Sequence, residues 1–432
     1  MSEIIEPRVL KGFRDFLPPL EIQRKEIQRI LEKGFESFGF VPIDTPALEY
    51  REVLLGKGGG ETDKQVYAFQ DHGNREVSLR FDLTVPFARF MAGHRNELYL
   101  PFKRYHIAKV WRGENTQKGR YREFTQCDFD IVGPDCASAD FEIIFMMHAS
   151  LTALGVRNFR IHISHRGIFN AFLAHNGLEN ANVEILRSVD KMGKIGRDEV
   201  RALLVPLTGE EKADRVLDFI RPADTWQETL AKLTELAGGE NPSTERVREI
   251  FSMAEATGIQ DLLVFDPSIT RGLDYYTGVV YETFLEELPR IGSVCSGGRY
   301  NNLAGLYTKE ELPGVGSSIG LDRLMAGLEE LGRLESRQAY TRVLILNMED
   351  SLMGRYFDLA RRLREEGISA EIFLESRKMK NQFAFAEKKT IPFALICGPD
   401  EAARNLVSLK NLETRESFDM ISLEKAAEIL KK

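Results

Sequence analysis

Between residues 20 and 38 the apolar side chains fall at Ile22, Ile27, Ile30, Leu31, Phe35 and Phe38 among charged neighbours. That spacing predicts a core-facing helix with Gly39 as its stop. Phe40-Val-Pro-Ile follows as a strand start or an edge strand, because Pro42 and Pro46 cannot donate to a ladder. From 65 to 133 the apolar runs are short and strand-like: Gln65-Val-Tyr-Ala-Phe, Val77-Ser-Leu-Arg-Phe, Lys109-Val-Trp-Arg and Phe124 to Val132, with one helical stretch, Val85 to Met91, among them. Strands that succeed one another through turns predict an antiparallel sheet in an α+β domain. Residues 180 to 260 read instead as helices rich in Glu, Lys and Ala, broken by Gly238, Gly239 and Pro242, which predicts a helical insertion spanning about 175–260. Strand character returns over 263–299, and a helix opens after Gly320. Near Thr341 the rhythm changes: Val343-Leu-Ile-Leu, an amphipathic Leu352 to Glu366, Ala370-Glu-Ile-Phe-Leu and Ile391 to Cys397 alternate strand with helix. This predicts a first domain over 1–330, a linker over 331–340 and a separate α/β domain over 341–432.

One predicted strand is unusual. Arg271-Gly-Leu-Asp-Tyr-Tyr-Thr-Gly-Val-Val-Tyr-Glu-Thr-Phe has strand composition but carries Arg271, Asp274, Tyr275, Tyr276 and Glu282 together. Simple alternation would make it a solvated surface strand. Other segments repeat the pattern. Lys109-Val-Trp-Arg112-Gly-Glu114 and Glu123 to Asp130 read as a hairpin, with Gln126, Asp128 and Asp130 at two-residue spacing on one face. Asp82 and Thr84 share a face at the end of another strand. Cys295-Ser-Gly-Gly-Arg-Tyr300 has paired glycines where a backbone turns or lets something approach closely. Gly314-Val-Gly-Ser-Ser-Ile-Gly320 precedes a helix, but its spacing is one residue too long for a dinucleotide fingerprint. The glycine-rich stretch Leu54 to Asp63 lacks the Gly-Lys-Ser/Thr of a nucleotide-gripping loop and reads as flexible.

Composition narrows the classes. A chain of 432 residues, 43% hydrophobic and 29% charged, is an ordinary folded protein of two or three domains. The longest apolar patch, Phe141 to Leu154, is broken by Glu142 and His148, and the N-terminus shows no basic region followed by an apolar segment. A cytoplasmic protein with no membrane partner is the expectation. The four cysteines make no Cys-x-x-Cys pair, and His162 and His165 have no acidic neighbour in sequence, so reduced thiols and no tightly bound metal are expected. The net charge of −8 is not that of a general nucleic-acid binder, yet residues 341–432 hold 16 Lys and Arg against 15 Asp and Glu. The last segment thus permits a local nucleic-acid face. Arg112, Arg271 and Arg323 are forked cations suited to a polyphosphate, while Asp82, Thr84, Gln126 and Asp130 are acceptors suited to an ammonium and to ring N–H groups. Such a set suits an amino acid facing a nucleotide.

Arg-Tyr-Arg-Glu-Phe-Thr-Gln-Cys-Asp-Phe-Asp-Ile-Val-Gly at 120–133, Arg-Gly-Leu-Asp-Tyr-Tyr at 271–276 and Cys-Ser-Gly-Gly-Arg-Tyr at 295–300 resemble the histidyl-tRNA synthetases, which are class II aminoacyl-tRNA synthetases. The first helix with Pro46 looks like motif 1 of that class, residues 103–133 like motif 2 and 314–328 like motif 3. The resemblance implies an antiparallel class II sheet flanked by helices, with a helical insertion and a C-terminal α/β anticodon-binding domain. It implies ATP with Mg²⁺ as substrate, L-histidine and tRNA(His) as partners, and a homodimer. By resemblance, Arg271 and Arg112 contact the α-phosphate and serve catalysis. Arg323 lies near the γ-phosphate, Phe124 and Arg323 sandwich adenine, and Glu114 belongs to the ATP site. Asp82, Thr84 and Gln126 take the α-amino group, Asp130 and Tyr276 the two imidazole nitrogens, and Tyr275 and Tyr300 line the histidine pocket. The chain departs from the pattern at positions 82 and 130, where many members carry glutamate. A regulatory subunit of ATP phosphoribosyltransferase, a synthetase-like protein without aminoacylation, is the alternative, although that group loses the Arg-Gly-Leu-Asp-Tyr-Tyr pattern and the anticodon domain. A dinucleotide-binding oxidoreductase fails on the Gly314–Gly320 spacing.

Overall fold

The computed structural model describes residues 4–56, 65–269, 275–334 and 338–432. The chain divides into two compact units, one of Met1–Asp15 with Glu26–Leu334 and the other of Phe16–Lys25 with Glu335–Lys432.

The first unit is built on a long hairpin, Phe102–Trp111 paired antiparallel with Glu123–Val132. Its apolar face carries Tyr105 and Phe129, which meet Phe35 of the helix Pro18–Ser37 at ring distances of 5.5 and 5.0 Å. That contact explains the apolar stripe of the helix: Ile27, Leu31 and Phe35 are all buried. The hairpin belongs to an eight-stranded sheet whose spatial order is Val41–Pro42, Phe102–Trp111, Glu123–Val132, Gly314–Gly320, Cys295–Arg299, Val279–Leu285, Phe159–His165 and Leu263–Phe265. The central pairings are antiparallel and only the two edge pairings are parallel. Pro42 sits on an edge strand, where its missing N–H costs no ladder bond. Leu48–Tyr50, Glu76–Leu79 and Ala68–Gln70 form a separate three-stranded sheet with Glu76–Leu79 in the middle.

Two sequence expectations need correction. The polar strand begins at Val279, not at residue 271. Tyr275 and Tyr276 precede it in a loop, and their rings lie 4.9 Å apart. Neighbouring residues in a strand point to opposite faces, so two adjacent rings can converge only where the backbone has left the sheet. The second correction concerns Asp82 and Thr84. The strand Glu76–Leu79 ends before them, and Thr84 opens the helix Thr84–Gly93. Asp82 Oδ1 accepts from the backbone N–H of Val85 at 3.1 Å and so satisfies one of the donors that a helix start leaves free. Pro86 in that first turn has no N–H to satisfy.

Helices occupy most of 182–257. The glycines at 238 and 239 follow the helix Trp226–Leu236, and Asn241 caps Pro242–Thr257 by accepting from Ser243 and Thr244. In the second unit Ala370–Ile372, Val343–Ile345 and Phe393–Ile396 are parallel neighbours, as the alternating pattern predicts. Two antiparallel strands, Val407–Asn411 and Ser417–Ile421, complete a five-stranded sheet. They and the helices Met379–Lys388 and Leu423–Leu430 were not read from the sequence, because Ser408, Lys410, Ser417 and Asp419 dilute the apolar signal of both strands. No helix among the described residues is long and apolar enough to cross a membrane.

Candidate active site

Alternation along Glu123–Val132 sets Phe124, Gln126, Asp128 and Asp130 on one face. Across the hairpin, Arg104 opposes Asp130, His106 opposes Asp128 and Ala108 opposes Gln126. On the other side Gly316, Ser318 and Gly320 oppose the same three. Rows of polar side chains therefore cross the sheet, and the Asp130 row runs on through Gly316 to Gly298. Side chains are excluded from that row: a Cβ at Gly316 would stand 1.9 Å from Asp130 Oδ1, and one at Gly298 would stand 2.6 Å from the Val279 carbonyl oxygen and 3.0 Å from the Tyr276 ring. Similarly, a Cβ at Gly314 would lie 2.3 Å from the Tyr300 ring. The glycines make a trough in the layer of side chains, and the Asp130 carboxylate and the Tyr276 and Tyr300 rings lie in it, directly against the strand backbone.

The Asp130 carboxylate is held on two sides. Arg104 Nη2 lies 2.7 Å from Oδ2, and the Tyr300 hydroxyl donates to Oδ1 at 2.5 Å. Arg104 is fully buried, with its guanidinium carbon 4.2 Å from the Phe87 ring centroid. Burial raises the Asp130 pKa and the Arg104 charge pulls it back. Burial also raises Asp82, whose Oδ2 accepts from the Tyr275 hydroxyl at 3.1 Å. Asp128 lies between them. Burial pushes its carboxyl up to about 7, opposed by Arg104 and reinforced by Asp130. His106, opposite Asp128, is pushed down to about 3 by burial and then by the charges of Arg104 and Arg80. Its Nε2 lies 3.0 Å from Asp44. All three site tyrosines, Tyr275, Tyr276 and Tyr300, have their pKa raised by burial and remain neutral donors at ordinary pH.

The tyrosine loop is fixed at its backbone. Arg166 Nη1 donates to the Tyr276 carbonyl at 2.8 Å, and the Thr277 N–H donates to the Arg299 carbonyl at 2.7 Å. Arg299 itself is spoken for by Asp140, to which its Nε donates at 2.8 Å.

A basic cluster stands at the other end of the site. Arg112, one residue past its strand, donates from Nε to the Phe81 carbonyl at 2.9 Å and lies 5.2 Å from the Phe124 ring. Its Nη1 is 3.9 Å from Glu114, which Arg120 approaches to 3.7 Å. Arg323, in the first turn of the helix Leu321–Glu330, donates to the Ser293 carbonyl at 2.7 Å. Burial, and then repulsion by Arg120, lowers its pKa to about 10, so it stays a cation. Asp322 beside it accepts from the Thr125 N–H at 2.7 Å and pairs with Arg14, which ties the helix start to the hairpin.

Of the residues singled out from sequence, Asp82, Thr84, Gln126, Asp130, Tyr275, Tyr276 and Tyr300 converge at the trough. Arg112, Glu114, Phe124 and Arg323 gather at the basic end. Arg271 and most of the glycine-rich 56–63 loop lie outside the described residues. Arg104, Asp128 and Ser318 belong to the trough and were missed as site residues. Carrying the two-residue alternation backward along the first hairpin strand would have reached Arg104. His162 does have an acidic partner, contrary to its sequence neighbourhood: Asp266, 104 positions away, sits 2.9 Å from Nδ1. Among the described residues no cluster of three His, Cys, Asp or Glu side chains could hold a metal ion.

Residues 12–324 match the family model described as histidyl-tRNA synthetase, and residues 342–432 match the one described as anticodon binding domain. A Treponema denticola protein named histidine–tRNA ligase is 53% identical, over 93% of this chain and 91% of its own. The chain belongs to the histidyl-tRNA synthetase family. The crystal structure of histidyl-tRNA synthetase from Nostoc sp. PCC 7120 superposes with a TM-score of 0.88 at 32% identity, covering 99% of each chain. A Bacillus halodurans structure titled as an ATP phosphoribosyltransferase regulatory subunit/histidyl-tRNA synthetase has a TM-score of 0.76 at 23% identity, over 91% of this chain and 99% of its own, a likeness of fold alone. The region matched to the synthetase family contains both ends of the site, the trough and the basic cluster.

Proposed function

We propose that the chain activates L-histidine with ATP to histidyl-adenylate and transfers the histidine to the terminal adenosine of tRNA(His). The observation that carries this reading is the buried Asp130, fixed by Arg104 and Tyr300 and lying against the backbone of Gly316, with the Tyr276 ring on Gly298 beside it. That pair suits a flat ring with an N–H to donate, with Tyr276 to meet the second nitrogen. Family membership supports the same reading. The regulatory-subunit alternative rests on a likeness of fold only.

In this reading Arg112, Arg323 and Arg271 clamp the triphosphate. The histidine carboxylate attacks the α-phosphorus in line, pyrophosphate leaves, and the arginines stabilise charge on the phosphoryl oxygens. Phe124 offers a face to adenine, and the flat guanidinium of Arg323 offers the other. Magnesium accompanies ATP. It would be held largely through the phosphates and water, and Glu114 and Glu282, both of which act on Arg323, are acidic side chains at that end of the site. The matched anticodon-binding segment holds tRNA. We further propose a cytoplasmic homodimer joined through the motif 1 region, where Val41, Leu48 and Tyr50 are exposed apolar side chains beside the sheet edge.

Histidine-dependent exchange of labelled pyrophosphate into ATP tests the proposal. Wild-type protein should catalyse it, and Asp130→Asn should raise the KM for histidine roughly tenfold or more while leaving the KM for ATP unchanged. Exchange that does not depend on histidine would rule the reading out.

A further inference from the structure

The loop over 113–122 joins the two strands of the long hairpin and carries Glu114 and Arg120 to the basic end of the site. Its own backbone ties it lightly: the Arg112 N–H donates to the Arg122 carbonyl at 2.9 Å, and Gln117 and Arg120 exchange bonds of 3.1 and 2.8 Å near the tip. Electrostatics work against its position. Arg120, and after it Arg112, act on Arg323 as like charges, opposed by Glu114 and Glu282. Guanidinium groups gathered for one polyphosphate repel one another until it arrives. Something else has to hold the loop in place.

Residues 11–14 lie against it. The Arg122 N–H donates to the Gly12 carbonyl at 2.8 Å, and Arg122 Nη1 donates to the Lys11 carbonyl at 3.5 Å. Gly12 has a φ of +88°, and a Cβ there would stand 2.7 Å from Arg122 Cγ and 2.8 Å from Thr116 Cγ2. Only glycine allows so close an approach in that backbone conformation. Phe13 meets the Tyr67 ring edge-on at 6.2 Å. The guanidinium carbon of Arg14 lies 3.7 Å from the Tyr121 ring centroid, and the same guanidinium pairs with Asp322. Asp322 is buried, accepts from the Thr125 N–H at 2.7 Å and directly precedes Arg323. Arg14 thus bears on the loop beside Arg120 and on the helix start beside Arg323, the two cations that push each other apart.

We propose that Arg14 is a positioning residue for the ATP end of the site, where residues 11–14 clasp the 113–122 loop to the start of the helix Leu321–Glu330. Arg14 acts through Tyr121 and Asp322. A flat guanidinium can stack on a ring and pair with a carboxylate at the same time, which a lysine ammonium does less well. The clasp holds Arg112, Arg120 and Arg323 together before ATP binds, so the triphosphate meets an ordered set of donors and little of its binding energy is spent on closing the loop.

This inference rests on the ATP-dependent reading above, and its test separates the two. Histidine-dependent pyrophosphate exchange is measured on the full chain, with ATP and histidine varied in turn, for wild type, Arg14→Met, Arg14→Lys and Gly12→Ala. Arg14→Met keeps apolar contact with Tyr121 and loses the charge toward Asp322. It should raise the KM for ATP roughly tenfold or more, leave the KM for histidine unchanged and keep kcat at saturating ATP within about threefold of wild type. Arg14→Lys returns the charge without the flat stack and should fall between the two. Gly12→Ala leaves every ionic group in place and should give the same ATP-selective rise, which keeps the test decisive if one Arg14 variant folds poorly. Equal rises in both KM values, a fall in kcat alone, or no change in any of them overturns the clasp while wild-type exchange still depends on histidine. Wild-type protein without histidine-dependent exchange overturns the parent reading and this one with it.

Discussion

Asp128 is the group in this site whose charge its neighbours support least, and that makes its titration visible in stability. Its carboxyl has an ordinary value of 3.8 and is pushed up to about 7 in the fold, first by burial. Between those limits the folded chain holds a proton that the unfolded chain has released. The contribution therefore favours the fold at low pH, is withdrawn as pH rises from about 4 to about 7, and is absent above that. His106 opposite it, pushed down to about 3, stays neutral through the same window and does not mask the effect. Asp128→Asn keeps the shape and removes the titration. Thermal melts of ligand-free protein should show wild type and variant nearly alike at pH 5, with the variant melting higher by roughly 2–5 °C at pH 8. A variant that melts lower at both pH values would mean that the carboxylate is engaged by a partner that offsets its burial.

At the scale of elements, the trough exists because one strand of the site carries no side chain over Asp130. Gly316→Ala would set a methyl 1.9 Å from the Asp130 oxygen and 2.8 Å from the Phe129 carbonyl oxygen, and the second of these is backbone and cannot swing aside. The expected outcome is loss of histidine-dependent exchange by at least about a hundredfold, from misplacement of the carboxylate by an ångström or so, while ATP still binds. Retained activity with an unchanged KM for histidine would show that Asp130 is not what meets the ring. The elements also show what the sequence could reveal. The two-residue spacing of Gln126, Asp128 and Asp130 was legible because a strand face is encoded locally. The paired glycines pointed to close approach for the same reason. Arg104 was hidden because the legible strand began at Lys109, seven residues after Phe102, where the real one starts. Asp82 and Thr84 were read as a strand end because Val77, Leu79 and Phe81 alternate with Ser78 and Arg80, whereas the helix start is set by the Asp82 bond to Val85. The convergence of Tyr275 and Tyr276 depends on contacts from Arg166 and Arg299, which are distant in sequence. Local pattern gives faces and spacings; which faces meet is decided by register and by bonds across long separations.

At the scale of the whole chain, the site residues proposed for adenylate formation end at Arg323, and the segment matched as an anticodon binding domain starts at residue 342. Binding energy from such a segment serves to hold tRNA while its terminus reaches the reacting atoms, and it contributes nothing to a reaction between histidine and ATP alone. A chain ended after Leu334 should therefore keep histidine-dependent pyrophosphate exchange largely intact. Charging of tRNA at low tRNA concentration should fall roughly a hundredfold, and should recover toward the full-length rate as tRNA is raised, since the loss is in binding. One structural feature sets a cost on the truncation: Phe16–Lys25 groups with the second unit, so the shortened chain keeps those ten residues without the rest of their unit. A lower melting temperature is expected on that account, with exchange measured well below it. Charging that survives undiminished at low tRNA would assign tRNA binding to the first unit. A folded truncation that has lost exchange would instead mean that the second unit is needed for adenylate formation as well as for tRNA binding.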